Sequence, residues 1–229
     1  MKGEQIPLSV QLRSSASFDT YYAGPNQAAV NALRESSRGG LFLYGAAGSG
    51  KTHLLQAAVR EAAPGVRAGY LPLRELVQRG AEAVDGYAGY PMLCIDDLDA
   101  IADDTQWNHT LIRLLDRLRT EGARWCVSAA AAPERLGGLL PDLRTRLSAL
   151  PLFALRALGD DDRHQWLRRS AHQRGLELPD DAARWLLNHL PRDTGNLLAA
   201  IEELDRASLR DKRRLTLAFV QRTLGLRPQ

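Results

Sequence analysis

The residues of this chain with the plainest chemical purpose are Gly45-Ala46-Ala47-Gly48-Ser49-Gly50-Lys51-Thr52. They sit between an apolar run, Leu41 to Tyr44, and a helical pattern that opens at Lys51. The spacing G-x-x-x-x-G-K-[ST] between a strand and a helix is that of a P-loop, a cradle for phosphate. Its glycines let the main chain curl until successive N–H groups face inward, and the helix start adds roughly half a positive charge there. Lys51 then reaches the β- and γ-phosphates of a nucleotide, and the Thr52 hydroxyl is an oxygen ligand suited to Mg²⁺. The expected nucleotide site is Gly45, Gly48, Ser49, Gly50, Lys51 and Thr52, with His53 next to them. Only three of the 30 basic residues are lysines, so a lysine at this position is not explained by composition.

Two further groups of residues are chemically suggestive. Met92-Leu93-Cys94-Ile95-Asp96-Asp97 is an apolar strand ending in two carboxylates. In a parallel sheet that end lies near the P-loop, where Asp96 can hold Mg²⁺ through water and Asp97 can orient an attacking water. Asp97 is one methylene shorter than a glutamate. Leu143-Arg144-Thr145-Arg146-Leu147 places two arginines two residues apart behind Pro141 and Asp142. Such a segment is either a solvated charged turn or the source of an arginine finger, which stabilises charge on a transferring phosphoryl group. Spacing does not choose between them.

Positioning these groups requires strands that alternate with helices. Strands are predicted over Leu41 to Tyr44, Arg67 to Leu71, Met92 to Ile95, Trp125 to Val127 and Leu152 to Leu155. Helices are predicted over Asn26 to Glu35, Lys51 to Glu61, Leu73 to Arg79 and Gln106 to Glu121. The alternation predicts an α/β fold, a five-stranded parallel sheet flanked by helices over 18–158. Beyond Gly159 apolar residues fall three or four apart, which predicts a small all-helical domain over 159–229. There Asp160 or Asp161 is expected to cap a first helix, Asp180 a second, and Asp193 or Thr194 to open a third with Leu197, Ile201 and Leu204 on its buried stripe. Trp166 and Trp185 read as core residues. Residues 1–17 read as a flexible tail.

The 229 residues are 45% hydrophobic and 25% charged, with a formal net charge of +3. That balance fits a soluble protein and does not by itself imply nucleic-acid binding. No apolar stretch is long enough for a membrane span and no signal-peptide pattern is evident, so a cytoplasmic location is expected. Cys94 and Cys126 lie in apolar strands without Cys-x-x-Cys spacing and read as small core residues. None of the five histidines, His53, His109, His164, His172 and His189, shows zinc-enzyme spacing, and each reads first as a surface or structural residue, so no metal beyond Mg²⁺ is expected.

Several segments, in order, resemble the initiator-like branch of the AAA+ proteins, and within it the regulators of the replication initiator DnaA. Phe18-Asp19-Thr20-Tyr21-Tyr22-Ala23-Gly24-Pro25-Asn26 is similar to the lead-in that packs over adenine, which implies an ADP or ATP ligand touched by Tyr22 and Gly24. Leu140-Pro141-Asp142-Leu143-Arg144-Thr145-Arg146-Leu147 is similar to the box with the finger and points to Arg146. Glu177-Leu178-Pro179-Asp180 and Leu204-Asp205-Arg206-Ala207-Ser208 resemble lid segments of those regulators. Gln5-Ile6-Pro7-Leu8-Ser9-Val10 is similar to a peptide that docks on the DNA sliding clamp; Gln5 would hydrogen-bond while Ile6, Leu8 and Val10 enter an apolar groove.

Two departures from the family pattern bear on hydrolysis. Ala130 stands where the first sensor usually offers a polar side chain, and Gly195 where the second offers an arginine, with Arg192 nearby but out of register. Each loss removes electrostatic stabilisation from a transition state. The resemblance therefore implies a regulatory adaptor with weak or absent ATPase of its own. It would bind an adenine nucleotide and the clamp, contact DnaA through Arg146, and meet nucleic acid only through the clamp, with self-association left open. The alternatives are an autonomous P-loop ATPase and a DNA-binding initiator or helicase loader. The sequence stops soon after the helical segment, so an additional helix-turn-helix module is not expected on this reading.

Overall fold

Five short strands, β1 (Gly39–Tyr44), β2 (Ala68–Pro72), β3 (Met92–Asp96), β4 (Arg124–Ala129) and β5 (Leu152–Ala154), pair in the order β2-β3-β4-β1-β5 in a computed structural model. Every pairing is parallel. The structure describes residues 12, 16–87, 89–190 and 194–225. They fall into two compact units that divide between residues 157 and 158. The expected clamp peptide, Gln5, Ile6, Leu8 and Val10, lies outside the described residues, as does Arg192.

Side chains alternate across a pleated sheet, so each strand feeds two cores. Leu41, Leu43, Tyr70, Cys94 and Cys126 face one core, which α1 (Gln27–Glu35) and α2 (Lys51–Arg60) close with Val30, Leu33, Leu54 and Leu55. Phe42, Leu71, Leu93, Ile95, Trp125 and Val127 face the other, closed by α4 (Thr105–Thr120) and α5 (Pro141–Ser148). Strands β3 and β4 are covered on both faces, which is why their sequences read as almost unbroken apolar runs. Helix α4 starts where the Asp104 carboxylate accepts from the Trp107 N–H at 3.0 Å. It buries Trp107, Leu111, Leu115 and Leu118 at helical spacing. It stops at Gly122, whose φ of 65° suits a glycine, as the Ala123 N–H returns to the Leu118 carbonyl at 2.9 Å.

The sequence expectation needs three adjustments in this unit. The predicted helix at 73–79 is α-helical only over α3 (Leu73–Leu76) and continues as a 3-10 turn, Val77–Arg79. A second 3-10 segment, Ala81–Tyr87, had no periodic signal. Helix α5 is not among the helices that periodicity predicts, and it carries both arginines of interest.

The second unit is helical, as expected: α6 (Asp160–His172), α7 (Asp180–His189), α8 (Thr194–Asp211) and α9 (Leu217–Leu224). Leu197, Ile201 and Leu204 are fully buried, and Trp166 and Trp185 belong to the core. The expected caps are corrected. Gly159 and Pro179 occupy the capping positions without side-chain bonds. Asp160, Asp161 and Asp180 lie inside the first turns, where their charge favours the positive end of the helix dipole. Helix α9 was not anticipated; the Thr216 hydroxyl caps it by accepting from the Phe219 N–H at 3.2 Å. Among the described residues no helix is long and apolar enough to cross a membrane.

Cys94 and Cys126 are register partners on β3 and β4, free and buried. Burial pushes the Cys94 thiol from its ordinary 9.0 up to about 12 and raises Cys126 in the same direction. Between those pH values the unfolded chain has lost protons that the folded chain keeps, so stability falls as pH rises. The limiting slope is about 1.4 kcal/mol per pH unit for each thiol. Urea midpoints are expected to drop above about pH 9 and to drop less steeply in Cys94→Ala/Cys126→Ala. An identical pH slope in the double variant would contradict this account.

Candidate nucleotide-binding site

The loop between β1 and α2 is shaped by its glycines. Gly48 and Gly50 have φ of 77° and 91°, values that side-chain-bearing residues rarely adopt. A Cβ on Gly45 would meet the Leu155 carbonyl oxygen at 2.3 Å, and one on Gly50 the Tyr21 ring at 2.6 Å. The pattern thus serves packing as well as curvature. Lys51 is nearly buried and donates to the Gly45 and Ala46 carbonyls at 2.6 and 3.1 Å, its ammonium folded back over its own loop. Ser49 is buried and its hydroxyl has no hydrogen-bond partner among the described residues. A buried hydroxyl left unmatched costs about 1–3 kcal/mol, so an incoming acceptor at this point is favoured. A cradle of left-handed glycines, one ammonium and one orphaned hydroxyl fits a phosphate group.

Behind the loop, Asp96 is 1% exposed and is the acceptor around which the strand ends are organised. Its Oδ2 accepts from Thr52 of α2 at 2.7 Å and from Tyr70 of β2 at 2.6 Å. Its Oδ1 accepts from Ser128 of β4 and from the Asp97 N–H at 3.2 Å. Thr52 and Asp96 are therefore brought together although β4 separates their strands in the sheet. Burial and the Asp96 charge push the Tyr70 hydroxyl far above its ordinary range, so Tyr70 remains a donor. Asp97 stands next to this group in a left-handed conformation, φ 58°. Its carboxylate accepts from Arg74 at 3.0 Å, and the same guanidinium reaches Asp99 at 3.3 Å. Asp99 in turn accepts from the Ala130 N–H at 2.9 Å.

The lead-in wraps the loop from the other side. The Tyr21 hydroxyl donates to the Ser49 carbonyl at 3.3 Å, and His53 Nε2 donates to the Ser17 carbonyl at 2.9 Å while lying 3.3 Å from the Thr20 hydroxyl. The half-buried Tyr22 and the exposed Gly24 follow directly. Asn26, also buried, locks this segment to the end of β5: it donates to the Arg156 carbonyl at 2.9 Å and accepts the Arg156 N–H at 2.8 Å.

The two arginines of α5 have different surroundings. Arg144 donates to the Leu139 carbonyl at 3.2 Å and steadies the approach to its own helix. Arg146 is 30% exposed and lies between Asp142, at 3.0 Å, and Asp116 of α4. Hydrogen bonding to Asp142 raises its already high pKa, with Asp116 adding to the effect. Both helices close the sheet face opposite α2. Fully buried Asn108 positions α5, donating to the Ala102 and Asp104 carbonyls at 2.9 and 2.8 Å and accepting the Leu140 N–H at 3.0 Å.

Residues 12–150, more than half of the chain, match the family described as the bacterial DnaA ATPase domain. The chain belongs to that family. Residues 160–224 match the lid domain of Hda, so this is an Hda-like AAA+ protein of the initiator group. Solved structures agree in fold. Domain III of the Thermotoga maritima replication initiation protein DnaA is 22% identical with a TM-score of 0.75, over 94% of this chain and 98% of that one. AMPPCP-bound DnaA from Aquifex aeolicus is 20% identical with a TM-score of 0.69, over 93% and 70%. The Thermotoga maritima RuvB Holliday junction branch migration motor is 16% identical with a TM-score of 0.66, over 94% and 73%.

Sequence reasoning passed over Tyr21, Asn26, Tyr70, Arg74, Asn108 and Ser128. Each is a single polar residue whose partner is remote in the chain, so spacing carries no signal for it. Ser128 carries a weak signal, being a polar residue directly after the apolar run Trp125 to Val127 and two positions before Ala130.

Asp96→Asn is expected to lower stability by about 2–4 kcal/mol, because one oxygen that now accepts from buried hydroxyls becomes a donor. Thermal unfolding of the ligand-free protein measures this. An unchanged or raised Tm would mean that the carboxylate is not the acceptor holding these strand ends together.

Proposed function

We propose that this chain is a cytoplasmic regulatory adaptor of replication initiation that holds an adenine nucleotide, binds the DNA sliding clamp through its tail, and presents Arg146 to ATP carried by DnaA. When bound, the nucleotide and Mg²⁺ supply charged phosphate and a hard cation at the strand ends. The groups suited to hold them are Gly45, Gly48, Ser49, Gly50, Lys51 and Thr52 with Asp96 behind, and His53, Tyr22 and Gly24 on the lead-in side. The AMPPCP carried by the Aquifex aeolicus DnaA supports an adenine nucleotide. Three of this chain's own features favour retention over turnover: Asp97 is tied to Arg74, the Ala130 side chain has no polar group, and Gly195 has no side chain to reach a phosphate.

The observation that carries the reading is the setting of Arg146. Its helix packs on the sheet face opposite the P-loop helix, and its part-exposed guanidinium is ion-paired with Asp116 and Asp142. A guanidinium so placed serves a neighbouring molecule better than its own loop, and its planar fork suits phosphate oxygens. Stimulation of a partner's hydrolysis follows from that chemistry, with no water-activating group required on this chain.

In a reconstituted reaction of DnaA, DNA-loaded clamp and this protein, Arg146→Ala is expected to bring DnaA's ATP hydrolysis down to the unstimulated rate while clamp binding is retained. Arg146→Lys, which keeps the charge and loses the fork, is expected to recover little; full stimulation by either variant would refute the finger. Gln5→Ala is expected to abolish capture by immobilised clamp, and wild-type retention would remove the docking step.

A further inference from the structure

The helical unit carries a charged surface that the nucleotide site does not use. Two clefts of about 630 and 440 Å³ adjoin each other, sharing Leu176, Glu177, Arg214 and Leu215. Helix α6 contributes Arg168, Arg169 and His172, and the end of α8 with the link beyond it contributes Lys212, Arg213 and Arg214. All six side chains are exposed. Arg168 approaches Asp180 only at 3.9 Å, and the other five form no ion pair among the described residues. Nearby acids pair elsewhere: Asp211 takes Arg210 and Arg222, and Asp180 takes Arg184.

Cations near helix C-termini are common because they offset the dipole. Here α6 and α8 supply about half a negative charge each, and Glu177 one more, against five permanent positive charges. With Arg168 shared with Asp180, an excess of about two positive charges is left without a partner among the described residues. The clefts offer little to a peptide, because Leu176, Leu178 and Leu215 are buried beneath them and no aromatic residue lines either one. Leu209, 73% exposed, and the half-buried Pro179 are the apolar side chains that reach their surface. Four of the five permanent cations are arginines, whose forked donors match phosphate oxygens.

We propose that this double cleft holds the phosphate backbone of duplex DNA, a direct and sequence-independent contact. It uses none of the residues assigned above to the nucleotide, the clamp or DnaA, and does not depend on those assignments. Five phosphate contacts give a slope of about −4.5 in log affinity against log salt, a loss of about twentyfold for each doubling of salt.

The test uses the full chain and fluorescence anisotropy of a labelled duplex of about 20 base pairs between about 50 and 200 mM salt. Arg213→Gln/Arg214→Gln and, separately, Arg168→Gln/Arg169→Gln are each expected to reduce the slope by about two. Arg38→Gln/Arg79→Gln removes the same charge from exposed sites in the other unit and is expected to leave binding unchanged. Circular dichroism checks that each variant is folded, and calorimetry with ADP is expected to be unaffected, which separates this contact from the nucleotide reading. Absence of duplex binding at the lowest salt, an equal loss in the control pair, or tighter binding to phosphatidylserine vesicles or polyglutamate than to duplex would overturn the proposal.

Discussion

A buried carboxylate is tolerated only when its lone pairs are filled, and at Asp96 they are filled by hydroxyls from three different elements. Thr52 comes from the helix after the P-loop, Tyr70 from an edge strand and Ser128 from a central strand. That one side chain fixes α2, β2 and β4 relative to the end of β3. The loop before α2 inherits its position from this joint, because Thr52 follows Lys51 directly. Charge-assisted hydrogen bonds of this kind contribute about 1.5–3 kcal/mol each, so the joint is strong relative to the marginal stability of a domain.

The sheet then separates two tasks. On one face α1, α2 and the lead-in enclose the P-loop, with Asn26 tying the lead-in to β5. On the other, α4 and α5 form a second core with Asn108 at their junction, and that core displays Arg146. The P-loop helix and the helix that carries Arg146 therefore pack on opposite faces of the sheet. At the strand ends between them Arg74 bridges Asp97 and Asp99, so neither carboxylate is left without a cation.

Much of the fold could be read from the chain because its strands are runs of apolar residues separated by helices with clear stripes. Helix α5 escaped because only Leu143 and Leu147 are buried along it, too short a stripe for periodicity to register. Helix α9 is as short, and the 3-10 segment at 81–87 has no period to detect. Asp160 or Asp161 is the cap the sequence offers, yet the effect of both is electrostatic within the first turn while Gly159 supplies the extended entry. In the site, motif residues were legible because phosphate chemistry demands those types at that spacing. Tyr70, Ser128, Asn26 and Asn108 were not, because a buried hydrogen bond between distant segments leaves no local pattern.

The orphaned Ser49 hydroxyl, the inward-turned Lys51 and the left-handed glycines together describe a place that anionic oxygen would complete. Calorimetric titration of the purified chain with Mg²⁺ and ADP addresses this most directly, run beside Lys51→Ala. The account predicts saturable single-site binding by the wild type and loss of about tenfold or more in affinity for the variant, the equivalent of one charge-assisted contact. No heat of binding at millimolar ADP or ATP, or equal affinity in the variant, would contradict it.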